Sequence, residues 1–395
     1  MFAVHVAPDL SSVVSANPPE ALYLHVPFCP SICPYCDFHK MKRHNPLVSS
    51  YLDRLEQESK QQGMKYQTKM RTIYLGGGTP SMLEDAELER IFGLLQRDWG
   101  LADAREVTME ADPLTYDAER LRFFRELGVT RLSIGLQSLS DDTLKFLGRV
   151  HNATEGRAAV EMALEAGFDV SADIITAVPG QDAKADLEQL AATGVNHVSV
   201  YSLTIEPFTP FALRGVTVDE DQAANDFDMA AEYLARHGLE RYEVSNHARP
   251  GFESLHNQVY WSGAHYLALG PSAASFEPAA GLVGLRRTRP HIKAWLLGGP
   301  DETQEVDAVE HTLESLMTSL RTRAGLDLQA LTDRGGADPR TVFSQALLEL
   351  TGHGLLDLSG DSLRATPDGL VRLNAVLRRF FADRETAQQH FSQAA

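Results

Sequence analysis

Cysteine is nearly absent and confined to one place: Cys29, Cys33 and Cys36 are the only three in 395 residues. An odd, clustered set excludes a disulfide framework. It points instead to a metal or cluster site in a reducing compartment. Residues 1–39 contain no lysine or arginine, the first basic residue being Lys40. That excludes the positive n-region of a secretory signal and the arginine-rich pattern of a transit peptide in this stretch, and a cytoplasmic location is expected. No apolar run reaches the roughly 18 residues of a membrane span. Basic residues are in deficit, 36 against 54 acidic ones, for a formal charge of −18. This balance argues against sequence-independent phosphate-backbone binding, and no nucleic-acid partner is expected. Internal repeats and low-complexity segments are missing as well.

What remains is globular in composition, with 43% hydrophobic and 23% charged residues. The length exceeds the roughly 250–300 residues at which single cores stop growing, so a large domain and a smaller one are expected. Apolar runs of strand length recur at Leu22–Val26, Thr72–Leu75, Val107–Glu110, Arg131–Gly135, Val170–Thr176 and Val198–Leu203. Amphipathic stretches lie between them, such as Leu47, Tyr51, Leu52 and Leu55 on one face. Ser81 with Glu84 fits a capping box, and Asp112 before Pro113 fits an N-cap and N1 pair. Alternation of this kind predicts parallel strands with crossover helices. The expected fold is α/β: a partial (β/α)6 TIM-like barrel, with a doubly wound open sheet as the alternative. Tyr242–Ser245 is a candidate for a further short strand. Residues 246–300 show no clear period, and Gly298–Val306 reads as a linker. Beyond it Leu313, Leu316, Met317 and Leu320, then Val376, Leu377 and Phe380, recur at helical spacing. Leu355–Leu358 and Ser362–Ala365 flank Gly360 as a hairpin. The predicted division is a tail over 1–20, a barrel over 21–245, a connecting segment over 246–305 and a helical, winged-helix domain over 306–395.

The cysteines sit in Cys29-Pro-Ser-Ile-Cys33-Pro-Tyr-Cys36, spaced C-x3-C-x2-C just after a strand. Three thiolates on one tight loop can hold three irons of a [4Fe–4S] cluster and leave the fourth open. A zinc site with His39 as fourth ligand is the plain alternative. Gly76-Gly77-Gly78-Thr79-Pro80-Ser81 follows the second strand. It lacks the Gly-Lys-Ser/Thr of a P-loop and the third glycine of a dinucleotide fingerprint. It offers bare backbone that a ligand can approach closely. A plain strand-to-helix turn is the alternative there.

C-x3-C-x-aromatic-C after a short strand resembles the radical-SAM superfamily. The resemblance implies that S-adenosylmethionine chelates the fourth iron and that one electron cleaves it to a 5′-deoxyadenosyl radical. It also implies that Gly77, Gly78 and Thr79 receive the methionine end of the cofactor. Five further positions resemble the cofactor shell of the coproporphyrinogen-dehydrogenase-like branch: Tyr23, Glu110 in Thr-Met-Glu-Ala-Asp-Pro, Gln137 in Gly-Leu-Gln-Ser, Arg149 in Leu-Gly-Arg-Val, and Asp173 in Ala-Asp-Ile-Ile. Then comes His256-Asn257-Gln258-Val259-Tyr260-Trp261, an H-N-x-x-Y-W motif similar to that of the HemW-like haem chaperones. The resemblance runs from about residue 21 into the C-terminal domain. Oxygen-independent coproporphyrinogen III oxidases carry a further cysteine two positions after the third, where this chain has Phe38. The resemblance therefore implies a chaperone that binds haem b as cargo and passes it to an acceptor haem protein, respiratory and membrane-associated. An oxidase-like radical enzyme acting on a tetrapyrrole is the alternative. An electron donor and a homodimer also follow from the resemblance. His256, Asn257, Tyr260 and Trp261 are candidate haem residues. The other reading of these residues is a hydrogen-bonded histidine with Tyr260 and Trp261 plugging the barrel bottom or domain interface. Two positions depart from the family pattern: Leu255, where arginine is common, and Ala274, where a histidine is.

Overall fold

The computed structural model describes residues 18–394; the rest of the predicted tail, residues 1–17, lies outside the described residues. Six parallel strands follow one another in chain order across the sheet: β1 (Ala21–Val26), β2 (Thr72–Gly77), β3 (Glu106–Ala111), β4 (Arg131–Gln137), β5 (Asp169–Thr176) and β6 (His197–Ser202). Every crossover carries a helix, as in α1 (Asn45–Tyr66) and α2 (Asp85–Trp99). The six predicted strands all fall on these elements. The sheet is open rather than closed on itself.

The side chains explain why these runs form strands with two different faces. Along each strand, residues alternate between the faces of the pleat. Leu22 and Leu24, Ile73 and Leu75, Val107 and Met109, Leu132 and Ile134, and Val198 and Val200 pack into one core beneath the helices. The intervening Tyr74, Glu110, Ser133, Asp173, Ser199 and Tyr201 line cavities on the inner face. The register aligns them across the sheet, pairing Glu110 with Ser133 and Asp173 with Ser199. The inner face of this sheet is thus built polar, which a barrel packed for stability alone would not be.

The segment 246–305 extends the sheet at both edges. Beyond β6 lies β7 (Asn246–Ala248), antiparallel to it. On the other side β8 (Tyr266–Leu269) pairs parallel with β1, followed by antiparallel β9 (Ala274–Glu277), β10 (Gly284–Thr288) and β11 (Glu302–Val306). Part of the predicted linker at Gly298–Val306 is therefore the edge strand β11. Its four leading residues are exposed, which hides the strand from a hydrophobic pattern. Tyr242–Ser245 is the turn between Glu240–Arg241 and β7 rather than a strand. Two helix starts also move. The capping box is Glu84 with Glu87, three residues beyond Ser81, which lies in a 3-10 turn. Asp112 does not cap a helix; Asp117 does, accepting from the backbone of Glu119 and Arg120.

A second core, separate from the first, is built by the helices Ala308–Ser319 and Leu373–Ala382 and a three-stranded sheet. The hairpin predicted around Gly360 is present, as Leu356–Ser359 paired with Ser362–Ala365. Among the described residues no helix is long and apolar enough to cross a membrane.

Candidate functional site

The three cysteines lie on the loop that leaves β1, at the carboxyl end of the sheet. The loop is stitched to the glycine loop after β2: the Gly78 amide donates to the Val26 carbonyl at 2.8 Å and the Thr79 amide to Phe28 at 2.7 Å. A Cβ on Gly78 would collide with the Phe28 carbonyl, and Gly77 holds φ +109°, open to glycine but not to other residues. The glycines are thus needed for backbone packed against the cysteine loop. Cys29, Cys33 and Cys36 are half-buried and unbridged. Burial pushes the Cys29 thiol up to about 11, partly offset by the Thr79 hydroxyl. A thiolate there needs a positive partner, which bound iron provides. The donor set therefore fits an iron–sulfur cluster. His39, the alternative fourth ligand, stacks instead on His291, with 3.0 Å between their Nδ1 atoms. Among the described residues no three His, Cys, Asp or Glu side chains close on a single ion, which is what the zinc alternative would need.

Beside the loop, one cavity of about 170 Å³ is lined by the three cysteines together with Gly77, Gly78, Thr79, Glu110, Gln137, Arg149 and Asp173. A neighbouring cavity of about 360 Å³ shares Cys36, Phe38, Glu110, Gln137 and Asp173 with it and runs down the inner face to Asn257. Ten of the eleven residues expected at the cluster and its cofactor thus converge on one wall. Tyr23 does not reach it: its hydroxyl is tied to His25 Nδ1 at 3.0 Å. Sequence reading missed Asp112 and Tyr74. Arg149 Nη2 donates to Asp112, and its Nη1 donates to Cys33 Sγ at 3.4 Å. Tyr74 donates to Glu110 Oε1 at 3.0 Å. The alternation of Tyr74 between Ile73 and Leu75 was the available signal for an inward tyrosine.

Two of the three carboxyls in this wall, Glu110 and Asp173, are short of charged partners, whereas Asp112 has Arg149. Glu110 accepts from the Gly77 amide at 2.8 Å and from Tyr74 only, and burial pushes it up to about 7. Asp173 is raised to about 6 by the same cause, against the serine hydroxyls of Ser199 and Ser133. Gln137 holds a left-handed backbone at φ 70°, a strain that costs about 1 kcal/mol for a non-glycine residue. Under-paired acids beside free cavity are suited to a ligand that brings positive charge.

The H-N-x-x-Y-W motif lies at the opposite end of the sheet, on the helix Leu255–Trp261. Glu106, at the start of β3, accepts from Ser254 Oγ and from the amides of Leu255 and His256, and pairs with buried Arg131 at 3.1 Å. His256 is 1% exposed, with Nδ1 bonded to Thr72 Oγ1 at 2.9 Å and Nε2 to the Tyr260 hydroxyl at 2.8 Å. Burial lowers it to about 3. Both ring nitrogens are engaged, so in this arrangement neither is offered to an iron, and Tyr260 is committed with it. Asn257 faces the 360 Å³ cavity, and Trp261 faces the C-terminal domain, where its carbonyl accepts from Ser319 Oγ at 2.7 Å.

A polar-lined partial barrel whose first loop presents three cysteines over a glycine loop defines a radical-SAM scaffold. The family model for the Radical SAM superfamily matches residues 23–194, and that for the HemN C-terminal domain matches residues 306–372. Coproporphyrinogen III oxidase (HemN) from Escherichia coli, described as a radical SAM enzyme, shares the fold at a TM-score of 0.78 and 22% identity, over 92% of this chain and 90% of that one. The heme chaperone HemW of Bacillus subtilis is 32% identical over 92% of this chain and 100% of its own length. That of Escherichia coli is 33% identical over 93% and 99%. The chain belongs to the HemW family.

Proposed function

We propose that this protein is a haem chaperone: it binds haem and hands it to an acceptor haem protein. The observation that carries the reading is similarity to heme chaperones over essentially their whole length. Phe38 supports it, standing where the related oxidases have a further cysteine; it is 65% exposed on the wall of the larger cavity.

In this reading Cys29, Cys33 and Cys36 hold a [4Fe–4S] cluster, and S-adenosylmethionine fills the adjoining cavity. A cluster with an open iron supplies one-electron reduction of the sulfonium cofactor when both are bound. The chain's own residues do the rest. Arg149 sets a fixed cation beside the Cys33 sulfur and is itself held by Asp112 and by the Gly135 carbonyl at 2.8 Å. Gly77 and Gly78 let a ligand approach the backbone. Glu110 and Asp173 line the same cavity and would hold the cationic end of the cofactor, whose positive charge would favour their anionic forms. A working division takes 21–245 as the barrel, 246–305 as the connecting segment that completes its sheet, and 306–395 as the C-terminal domain. The reading places the protein in the cytoplasm, its acceptor among respiratory membrane haem proteins.

The second reading, a radical enzyme acting on a tetrapyrrole, draws on the same convergent site. Absorbance titration of anaerobically reconstituted protein with haem separates the two. Saturable Soret changes support the chaperone. No saturable binding, with vinyl products and 5′-deoxyadenosine formed from coproporphyrinogen III, would replace it with the enzyme.

A further inference from the structure

The motif helix has two faces. His256 and Tyr260 turn into the barrel, while Leu255, Gln258 and Trp261 wall a cleft of about 490 Å³ against Arg323 and Ala324 of the C-terminal domain. This cleft shares Tyr242, Thr322 and Arg323 with a second lobe of about 650 Å³. Clefts of this size between domains are the usual place for a ligand.

The walls of the second lobe are of two kinds. Phe227 and Val244 on the barrel side face Leu370, Val371 and Leu373, and Val371 is left 86% exposed. Three guanidiniums, Arg241, Arg321 and Arg323, share the same lobe. Arg241 and Arg321 have no carboxylate within ion-pair distance among the described residues, so the lobe gathers more positive charge than its own acids neutralise. Arg241, partly exposed, lies over the Phe227 ring at 4.9 Å, and Arg323 reaches Glu240 only at 3.9 Å, that pair being more than half exposed. Asp228 and Glu243 also line this lobe, but burial raises the Glu243 carboxyl and so disfavours its charge. Apolar walls beside under-neutralised cations fit a flat apolar body that carries carboxylates on one edge.

We infer that haem sits in this cleft between the barrel and the C-terminal domain, its apolar faces against Phe227, Val244, Leu370 and Val371 and its propionates toward Arg241, Arg321 and Arg323. This rests on the chaperone reading. Among the described residues no histidine, cysteine or methionine lines either lobe, and the Tyr242 hydroxyl, which lines both, is engaged by His197 Nε2 at 2.9 Å and the Ser254 amide at 3.3 Å, so the porphyrin edge and not the iron is gripped. A cargo held by its edge leaves the iron open to the acceptor's ligand. The motif contributes its outer face, which accounts for its place in a haem protein although His256 is sealed in the barrel.

The test is haemin titration of the full-length, cluster-loaded protein by Soret absorbance, with Arg241→Glu, Arg321→Glu and Val371→Asp beside wild type. The three substitutions are at partly or largely exposed positions, and unchanged iron content and thermal midpoint confirm that the fold is kept. Each variant is expected to bind haemin about tenfold or more weakly, since a charge-assisted contact or an apolar wall is lost. The dimethyl ester of haemin is expected to bind wild type weakly and to be insensitive to the two arginine changes. Haemin affinity equal to wild type in all three folded variants would overturn the inference while leaving the chaperone reading intact. Absence of saturable binding in wild type would instead remove the chaperone reading, and this inference with it.

Discussion

Replacing Glu110 by glutamine should make the protein more stable at pH 8 and less stable at pH 4. The carboxyl is raised from 4.5 to about 7 in the folded protein. Between these values the unfolded chain has lost its proton while the folded one keeps it, so stability falls as pH rises through this window. Above pH 7 the whole difference is lost, about 3 kcal/mol at 1.36 kcal/mol per unit. Glutamine removes that penalty. It also keeps only one acceptor oxygen for two donors, Tyr74 and the Gly77 amide, which costs about 1 kcal/mol at every pH. The net is a gain of about 2 kcal/mol at pH 8 and a loss of about 1 kcal/mol at pH 4, below the unfolded value, where the wild type carries almost none of the penalty. For a chain of this size that is a thermal-midpoint shift of roughly 2–3 °C up and 1–2 °C down. Differential scanning fluorimetry of cluster-loaded protein without S-adenosylmethionine measures both. The same variant should bind the cofactor at least tenfold more weakly at pH 8, because the gain in stability comes from removing the charge that the ligand uses. A wild-type-to-variant gap identical at the two pH values would refute the reasoning.

Three further outcomes follow from single contacts. Gly78→Ala should retain its iron but bind S-adenosylmethionine at least tenfold less tightly by equilibrium dialysis, because the new Cβ meets the Phe28 carbonyl and pushes the two loops apart. Phe208→Gly should raise stability by roughly 0.5 kcal/mol, read as a slightly higher thermal midpoint, since Phe208 holds φ 66° with its ring 94% exposed; Phe208→Ala, which keeps the strain, should not. His256→Ala should cost about 3 kcal/mol in urea denaturation at pH 7.5, leaving Thr72 Oγ1 and the Tyr260 hydroxyl unpaired, with haem affinity unchanged in the folded fraction. The wild type should lose stability as pH falls from 6.5 toward 3, where the unfolded histidine takes a proton that the buried one refuses, and this variant should lose less.

The barrel was legible because its strands carry apolar residues on one face at every second position, and because each cysteine and glycine of the site follows directly on a strand. The cluster residues and Arg149 could be placed for the same reason: their spacing along the chain maps onto neighbouring loops at one end of the sheet. What could not be read were pairings set by tertiary contact. Asp112 looks like a helix cap before Pro113, and nothing local shows that Arg149, 37 residues on, claims it instead. β11 carries Glu302, Thr303, Gln304 and Glu305, a polar edge whose only signal as a strand is its partner β10. Tyr23 sits at the right distance from Cys29 but turns to His25. The motif histidine could be read as a haem residue or as a hydrogen-bonded one, and its burial against Thr72 depends on a strand 184 residues away.

Two glutamates on β3 show how a structural carboxylate separates from a binding one. Glu106 and Glu110 are one helical turn apart in number but lie on the same strand face, at opposite ends. Glu106 takes four donors, one of them the Arg131 guanidinium, and in doing so fixes the start of the motif helix. Nothing is left over for a ligand, and its loss would leave buried Arg131 unpaired. Glu110 takes two neutral donors, lines both cavities and is pushed toward neutrality by burial. Between them Thr108 presents a buried hydroxyl with no partner to the same cavity. Hydrogen-bonding capacity along this one strand is thus filled at the end that holds the fold together and open at the end beneath the cysteines. A cationic ligand above Glu110 would do for that carboxylate what Arg131 does for Glu106.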